Sequence, residues 1–137
     1  MVSIEHDADL LVTFGKETLK RLHEIDSLLL NLRKSGASYE NNINQIFRDA
    51  HSIKSGANLL KLKQIELLAH AIEDILHILR DKKIIPNDSA IEIIMEGTDF
   101  VRQLINMIKL SNYANVESML KRLKGLCLSL EKVRVNL

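Results

Sequence analysis

An all-α fold, an antiparallel four-helix bundle with an additional fifth C-terminal helix, is what the sequence predicts, and three observations predict it. Across 137 residues there are one proline and only five glycines, so helix breakers are scarce. Leu, Ile, Glu and Lys dominate long stretches in which apolar residues return every three or four positions, the repeat of one helix face. No stretch alternates apolar and polar residues long enough to make a half-buried strand.

The first helix is predicted over residues 7–34, where Leu11, Phe14, Thr18, Leu22, Ile25, Leu29 and Leu32 share one face. SGASYENN, residues 35–42, follows as a loop in which Gly36 ends the helix. The second helix is predicted over 43–60, burying Ile46, Phe47, Ala50, Ile53, Ala57 and Leu60. The third covers 63–81, with Ile65, Leu68, Ile72, Ile75, Leu76 and Leu79 inward. No proline or glycine marks the junction between them. A single helix from Ile43 to Asp81 would be roughly 58 Å long, too long for a compact domain of this size. Lys61 and Lys63 complement the negative end of a helix that stops there, which places the turn near Leu62.

KKIIPNDSA, residues 82–90, breaks the chain at Pro86 and offers Asn87, Asp88 and Ser89 as N-caps for a fourth helix over 88–110. SNYANVE, residues 111–117, is read as a polar connection to a last helix over 116–133. Met95, Met107 and Met119 are read as gap-fillers in the core. Amphipathic helices with short connections give antiparallel neighbours around one core, and residues 1–137 are read as one domain.

Composition narrows the function classes. Nineteen basic and eighteen acidic residues leave a net charge of +1, which argues against nucleic-acid binding, where a basic face replaces phosphate counterions. It argues equally against a polybasic membrane anchor. No apolar run approaches the roughly 20 residues of a membrane span, so no membrane insertion is expected. MVSIEHDADL lacks the basic-then-apolar pattern of a signal peptide. One cysteine, Cys127, suits a reducing compartment, and Leu126, Leu128 and Leu130 around it suggest a packed thiol. A cytoplasmic protein is expected.

The chemistry sits in FRDAHSIKSGAN, residues 47–58. His51, Lys54, Ser55 and Asn58 follow the three-and-four spacing of one face, and His70, Glu73, Asp74 and His77 do the same on the next helix. With the turn near residue 62, an antiparallel hairpin pairs positions whose numbers sum to about 124. His51 then lies level with Glu73, and Lys54 with His70. A neutral imidazole attacks phosphorus through Nε2 when Nδ1 carries the proton and an acceptor holds it. Glu73, read as an exposed rim carboxylate, stands where that acceptor is needed. Lys54 is placed to neutralise phosphoryl oxygens, while Ser55 and Gly56 keep the approach open for a partner protein.

AHSIKSGANLLKLKQIELLAHAIEDIL, residues 50–76, resembles the histidine-containing phosphotransfer (HPt) domain, particularly the N-terminal domain of CheA-type chemotaxis kinases. That motif is a phosphorylatable histidine followed by Ser, an aliphatic residue, Lys and small residues, here His51, Ser52, Ile53, Lys54, Ser55, Gly56 and Ala57. His70 and Glu73 stand 19 and 22 residues beyond His51, as in the chemotaxis branch. The opening LLVTFGKETLKRLHEIDSLLLNL is similar to the family's first helix. The resemblance implies that His51 accepts phosphate on Nε2, that Glu73 orients it, and that Lys54 and His70 complete the network, with Ser55, Gly56 and Asn58 on the docking face. It implies a histidine kinase catalytic domain as donor and a response-regulator receiver domain as acceptor, with ATP and Mg²⁺ belonging to those partners. The chain itself has no glycine-rich nucleotide loop. It is then not an enzyme, but a phosphocarrier corresponding to the front of a larger kinase or a free-standing module. Two departures stand out: Ser55 replaces the glycine that usually follows the lysine, and Asn58 and Lys61 replace glycines near the turn.

Two other readings compete. One is a helical scaffold bundle in which His51 is incidental. The other is a metal-binding bundle using His70, Glu73 and His77 with His51 as a fourth ligand. Bundles that hold metal pairs use more carboxylates than this, so no metal and no cofactor are expected in the chain. His6 and His23 are read as exposed and unpartnered.

Overall fold

The computed structural model describes residues 4–33 and 38–134, with side chains from residue 8 onward. Five α-helices run in order: α1 (Ile4–Leu32), α2 (Tyr39–Leu59), α3 (Lys63–Lys82), α4 (Asp88–Asn106) and α5 (Glu117–Glu131), with a 3₁₀ helix (Ile108–Tyr113) between the last two. α1, α2, α3 and α4 pack in a ring around one core, and α5 lies against α3 and α4. The fold class is the one the apolar repeat predicts. Leu22, Ile25, Leu29 and Leu32 of α1 face Ile46, Ile53, Ile65, Leu68, Ile75 and Leu79 in that core. Each such side chain contributes about 1.5–3 kcal/mol when fully withdrawn from water. Among the described residues no helix is long and apolar enough to cross a membrane.

Several boundaries move. α1 begins at Ile4 rather than Asp7 and ends at Leu32; the helix stop assigned to Gly36 lies outside the described residues. α2 begins at Tyr39, a full turn before Ile43. Tyr39 is the cause: its hydroxyl donates to Leu79 O at 2.7 Å or Ile84 O at 2.6 Å, and its buried ring draws that extra turn into the helix. Burial, then the Glu40 charge, pushes its phenol up to about 12, so it stays a donor. α4 stops at Asn106 instead of Leu110, and a 3₁₀ helix over Ile108–Tyr113 replaces its last expected turn and the start of the polar connection, tucking Ser111 inside. Periodicity cannot separate a tight helix from the last turn of an α-helix. Asn87 is the cap of α4 among the three offered, accepting from Ala90 N at 2.8 Å. Phe47 and Met95 are only partly buried and Met107 is 48% exposed, so of the three methionines Met119 alone is fully within the core.

The α2–α3 turn does lie at residues 60–62. Leu62 N bonds Ala57 O at 2.8 Å and Lys61 N bonds Asn58 O at 3.1 Å, closing α2 with Lys61 in the left-handed conformation, φ 59°. α3 ends in the same way, Ile84 N on Leu79 O at 3.0 Å and Lys83 at φ 55°. Asn112 of the 3₁₀ helix clamps the turn: its Oδ1 accepts from Lys63 N at 2.8 Å and its Nδ2 donates to Lys61 O at 3.0 Å. The left-handed position of this turn is thus taken by a lysine, Lys61, held from outside the hairpin. Left-handed backbone costs a residue with a Cβ about 1 kcal/mol. Lys61→Gly and Lys83→Gly are therefore each expected to raise stability by about 0.5–1 kcal/mol, read by urea unfolding.

Asp49 is a buried acid on α2 facing α1, only 4% exposed. Its Oδ1 accepts from Gln45 Nε2 at 3.3 Å, whereas Oδ2 finds no donor. Burial, together with Glu24 beside it, pushes the carboxyl up to about 7 against the opposing effects of Gln45 and Arg21. Once protonated, Oδ2 has a proton to give the Glu24 carboxylate. Between the ordinary carboxylate range and neutrality the folded chain holds a proton that the unfolded chain has released, so this group's contribution falls as pH rises to about 7 and is level above it. Asp49→Asn keeps the shape and supplies a permanent donor. The variant is expected to gain about 2 kcal/mol at pH ~8 and progressively less toward pH ~5, measured by thermal unfolding across that range.

Candidate functional site

The hairpin register sets the site. His51 on α2 stands opposite Glu73 on α3, and its Nδ1 lies 2.5 Å from Glu73 Oε2. Lys54, one turn further along α2, places Nζ 2.7 Å from Glu73 Oε1. Both oxygens of one carboxylate are therefore engaged, one by the ring and one by the ammonium. The imidazole is 55% exposed while the Glu73 side chain is 10% exposed, so an accessible ring is anchored by a sunken acid. Glu73 is thus corrected from an exposed rim carboxylate to a buried one: Ile72 and Leu76 beside it are core residues, and α2 closes over it.

Burial by itself would raise the Glu73 carboxyl. The hydrogen bonds and charges of Lys54 and His51 oppose that and together hold it below its ordinary value of 4.5. An ionised acceptor facing Nδ1 fixes the neutral ring as the Nδ1–H tautomer, which leaves the Nε2 lone pair toward solvent. Such charge-assisted bonds are short and about twice as strong as neutral ones.

His70, predicted level with Lys54, pairs instead with Asp74 of its own helix, Nε2 to Oδ1 at 3.5 Å. Lys54 reaches one turn along α3 because a carboxylate attracts an ammonium and a neutral imidazole does not. His70 remains beside the network, with a ring nitrogen within 4.8 Å of a Glu73 oxygen. His77 pairs with Asp81 at 3.0 Å and lies apart from that group. The four-ligand set of His51, His70, Glu73 and His77 is not assembled, since Nδ1 of His51 is committed to Glu73 and the ring nitrogen of His77 to Asp81.

Ser55 and Asn58 are exposed beside the ring, Asn58 donating to Glu66 Oε2 at 2.5 Å across the hairpin. Gly56, expected on the docking face, does not line the cleft and is turned toward α1. A Cβ there would meet Phe14 Cε1 of α1 at 2.7 Å, so its lack of a side chain seats a neighbouring helix. Leu59, 81% exposed, ends the same cleft.

Residue patterning missed the support on the other side of the ring. Phe47, one turn before His51, lies nearly parallel to it, ring centroids 6.4 Å apart and planes 11° apart. Arg80 of α3 covers Phe47 at 4.2 Å from the ring centre, and His77 lies 6.2 Å away. Because Phe47 fits the apolar stripe, it reads as core. Its four-residue spacing from His51 was the available signal. His23 is exposed as expected, whereas the side chain of His6 lies outside the described residues. Cys127 is half-buried, and burial with the charges of Glu131 and Asp74 pushes its thiol up, which disfavours the reactive thiolate.

Comparison with known proteins places the chain in a family. The family model described as Hpt domain matches residues 9–124. The chemotaxis protein CheA of Rhizobium meliloti is 31% identical over 93 residues, which is 68% of this chain and 12% of that protein. CheA of Treponema pallidum is 23% identical over 97 residues, 71% of this chain and again 12% of the relative. The chain thus spans about an eighth of the length of these relatives. The fold matches the crystal structure of the phosphorylated P1 domain of CheA3 in complex with CheY6 from R. sphaeroides, with a TM-score of 0.75 at 18% identity, covering 89% of this chain and 98% of that one. The family match over residues 9–124 and the bundle it accompanies lead to one conclusion: this chain belongs to the Hpt domain family of histidine-containing phosphotransfer modules.

Proposed function

We propose that His51 is the phosphoacceptor and that the chain works as a phosphocarrier in a two-component phosphorelay. The observation that carries this reading is the 2.5 Å contact between Nδ1 of a half-exposed His51 and the buried, ionised Glu73, which leaves Nε2 as the free nucleophile. Nε2 attacks the γ-phosphorus of ATP held by a histidine kinase catalytic domain. The P–N bond forms as the bond to ADP breaks, and the positive charge that develops on the ring is met by Glu73. Lys54 lies close enough to swing from Glu73 to the incoming phosphoryl oxygens. Attack by an aspartate of a response-regulator receiver domain then breaks the P–N bond and returns neutral imidazole. ATP and Mg²⁺ belong to the partner domains, and no cofactor or metal is needed on this chain for the transfer itself. Ser55, Asn58 and the exposed Leu59 form the docking side of the ring, whereas Gly56 faces α1.

The chain reads as a single domain of this kind over 1–137, corresponding to the front of a chemotaxis-type histidine kinase. The CheA relatives support that reading, as does the structural neighbour described as a phosphorylated P1 domain bound to CheY6. An ATP-fed relay and a free cysteine suit the cytoplasm. The test is incubation with a chemotaxis-type kinase catalytic domain and γ-labelled ATP, then addition of a receiver domain. Label that is acid-labile and alkali-stable, and that moves to the receiver, is the expected result. Acid-stable label, or none from several such kinases, would refute it.

A further inference from the structure

The exposed face of α3 carries His70, Asp74, His77 and Asp81 at steps of four, three and four, each histidine paired with the aspartate one turn later. The two pairs differ. His77 and Asp81 are within ordinary bonding distance at 3.0 Å, and Arg80 also reaches His77 Nδ1 at 3.3 Å. His70 Nε2 and Asp74 Oδ1 stand 3.5 Å apart, long for a hydrogen bond. A tetrahedral zinc ion with nitrogen and oxygen ligands at about 2.0–2.2 Å holds them about 3.4 Å apart. Glu73 adds a third donor: one ligand atom from each of His70, Glu73 and Asp74 lies within 4.8 Å of the others, the one such group among the described residues. His70 and Asp74 are 56% and 55% exposed, so an ion can enter from solvent.

We propose that His70, Asp74 and Glu73 bind a divalent transition-metal ion of the zinc type, and that the bound ion draws Glu73 away from His51. A carboxylate has about four lone-pair directions, so Glu73 can begin to coordinate while still bonded to its two partners. The ion's charge then competes with Lys54 and with Nδ1–H for the same oxygens. Losing its acceptor, the His51 ring is no longer locked as the Nδ1–H tautomer, and Nε2 becomes a poorer nucleophile. The site is a brake built into the positioning acid. This coupling rests on the phosphoacceptor reading, but the binding does not.

The experiment uses the whole chain and zinc itself, in competition with a chromophoric chelator, alongside ¹⁵N spectra of the histidine rings. One zinc per chain is expected at micromolar concentrations, retained in His51→Gln and weakened about tenfold or more in Asp74→Asn. Zinc should shift the Nδ1 resonance of His51 in the parent chain and not in Asp74→Asn. Where a kinase labels the chain, zinc should slow the parent several-fold and leave Asp74→Asn unaffected. Unaltered affinity in Asp74→Asn overturns the site. Saturating zinc that leaves the His51 ring and its phosphorylation unchanged overturns the coupling, even if phosphotransfer itself proceeds.

Discussion

His51→Gln is expected to abolish acid-labile phosphate on this chain completely while the bundle melts within about 1 kcal/mol of the parent. Glutamine has an amide nitrogen that can still donate to Glu73 but no lone pair able to attack phosphorus. The ring it replaces is more than half exposed, so little apolar burial is lost. The measurement pairs labelling by a kinase domain with thermal unfolding of the same sample. Label remaining on the variant at the parent's level would transfer the role to another histidine, and His70, beside the same carboxylate, would be the first to examine. A parent that labels and a variant that neither labels nor folds would instead mean that His51 holds the hairpin together.

Glu73→Ala is expected to slow phosphorylation of His51 by about 10²-fold, because the ring loses both its tautomer lock and the charge that steadies the developing imidazolium. The same substitution costs stability. An exposed acid would leave the fold nearly untouched, but Glu73 is buried and compensates Lys54, which is itself 25% exposed. Removing it strands that ammonium and the Nδ1–H of His51, for a loss of about 1–3 kcal/mol. Glu73→Gln separates the effects: it fills the space and accepts from one donor, so stability should largely return while the rate stays low. Since interactions in the fold hold the Glu73 carboxyl below its ordinary value, its contribution is fully present above that value and is lost as pH falls through the lower folded value. The parent should therefore lose stability relative to Glu73→Ala on acidification below about pH 4.5. Parallel unfolding curves for the two across that range would contradict the ion pairing. A Glu73→Ala rate equal to the parent's would contradict the positioning role.

The site was legible in outline because a hairpin is a ruler. Once two amphipathic helices and a turn near Leu62 are granted, antiparallel pairing brings His51 opposite Glu73 whatever the remaining helices do. Which partner Lys54 chooses was not legible to the same degree, because a shift of one helical turn separates His70 from Glu73 and charge decides between them. Phe47 shows the opposite failure. Its side chain obeys the apolar repeat, so the pattern assigns it inward, yet it lies under Arg80 and against the ring of His51. The place of the turn was legible in the sequence, whereas its geometry was not. Lys61 holds left-handed backbone there, and Asn112, some 50 residues away in sequence, binds both sides of it.

By itself the sequence determined the helical class, the inward faces, the hairpin register and the group of residues around His51, because periodicity and side-chain chemistry are local properties of the chain. Burial of Glu73, the raised carboxyl of Asp49, the reach of Tyr39 to the far end of α3 and the approach of Phe14 to Gly56 were decided only by the tertiary structure. Those depend on how closely separate helices approach and how much water they exclude, and a desolvated charge behaves according to its surroundings rather than its residue type.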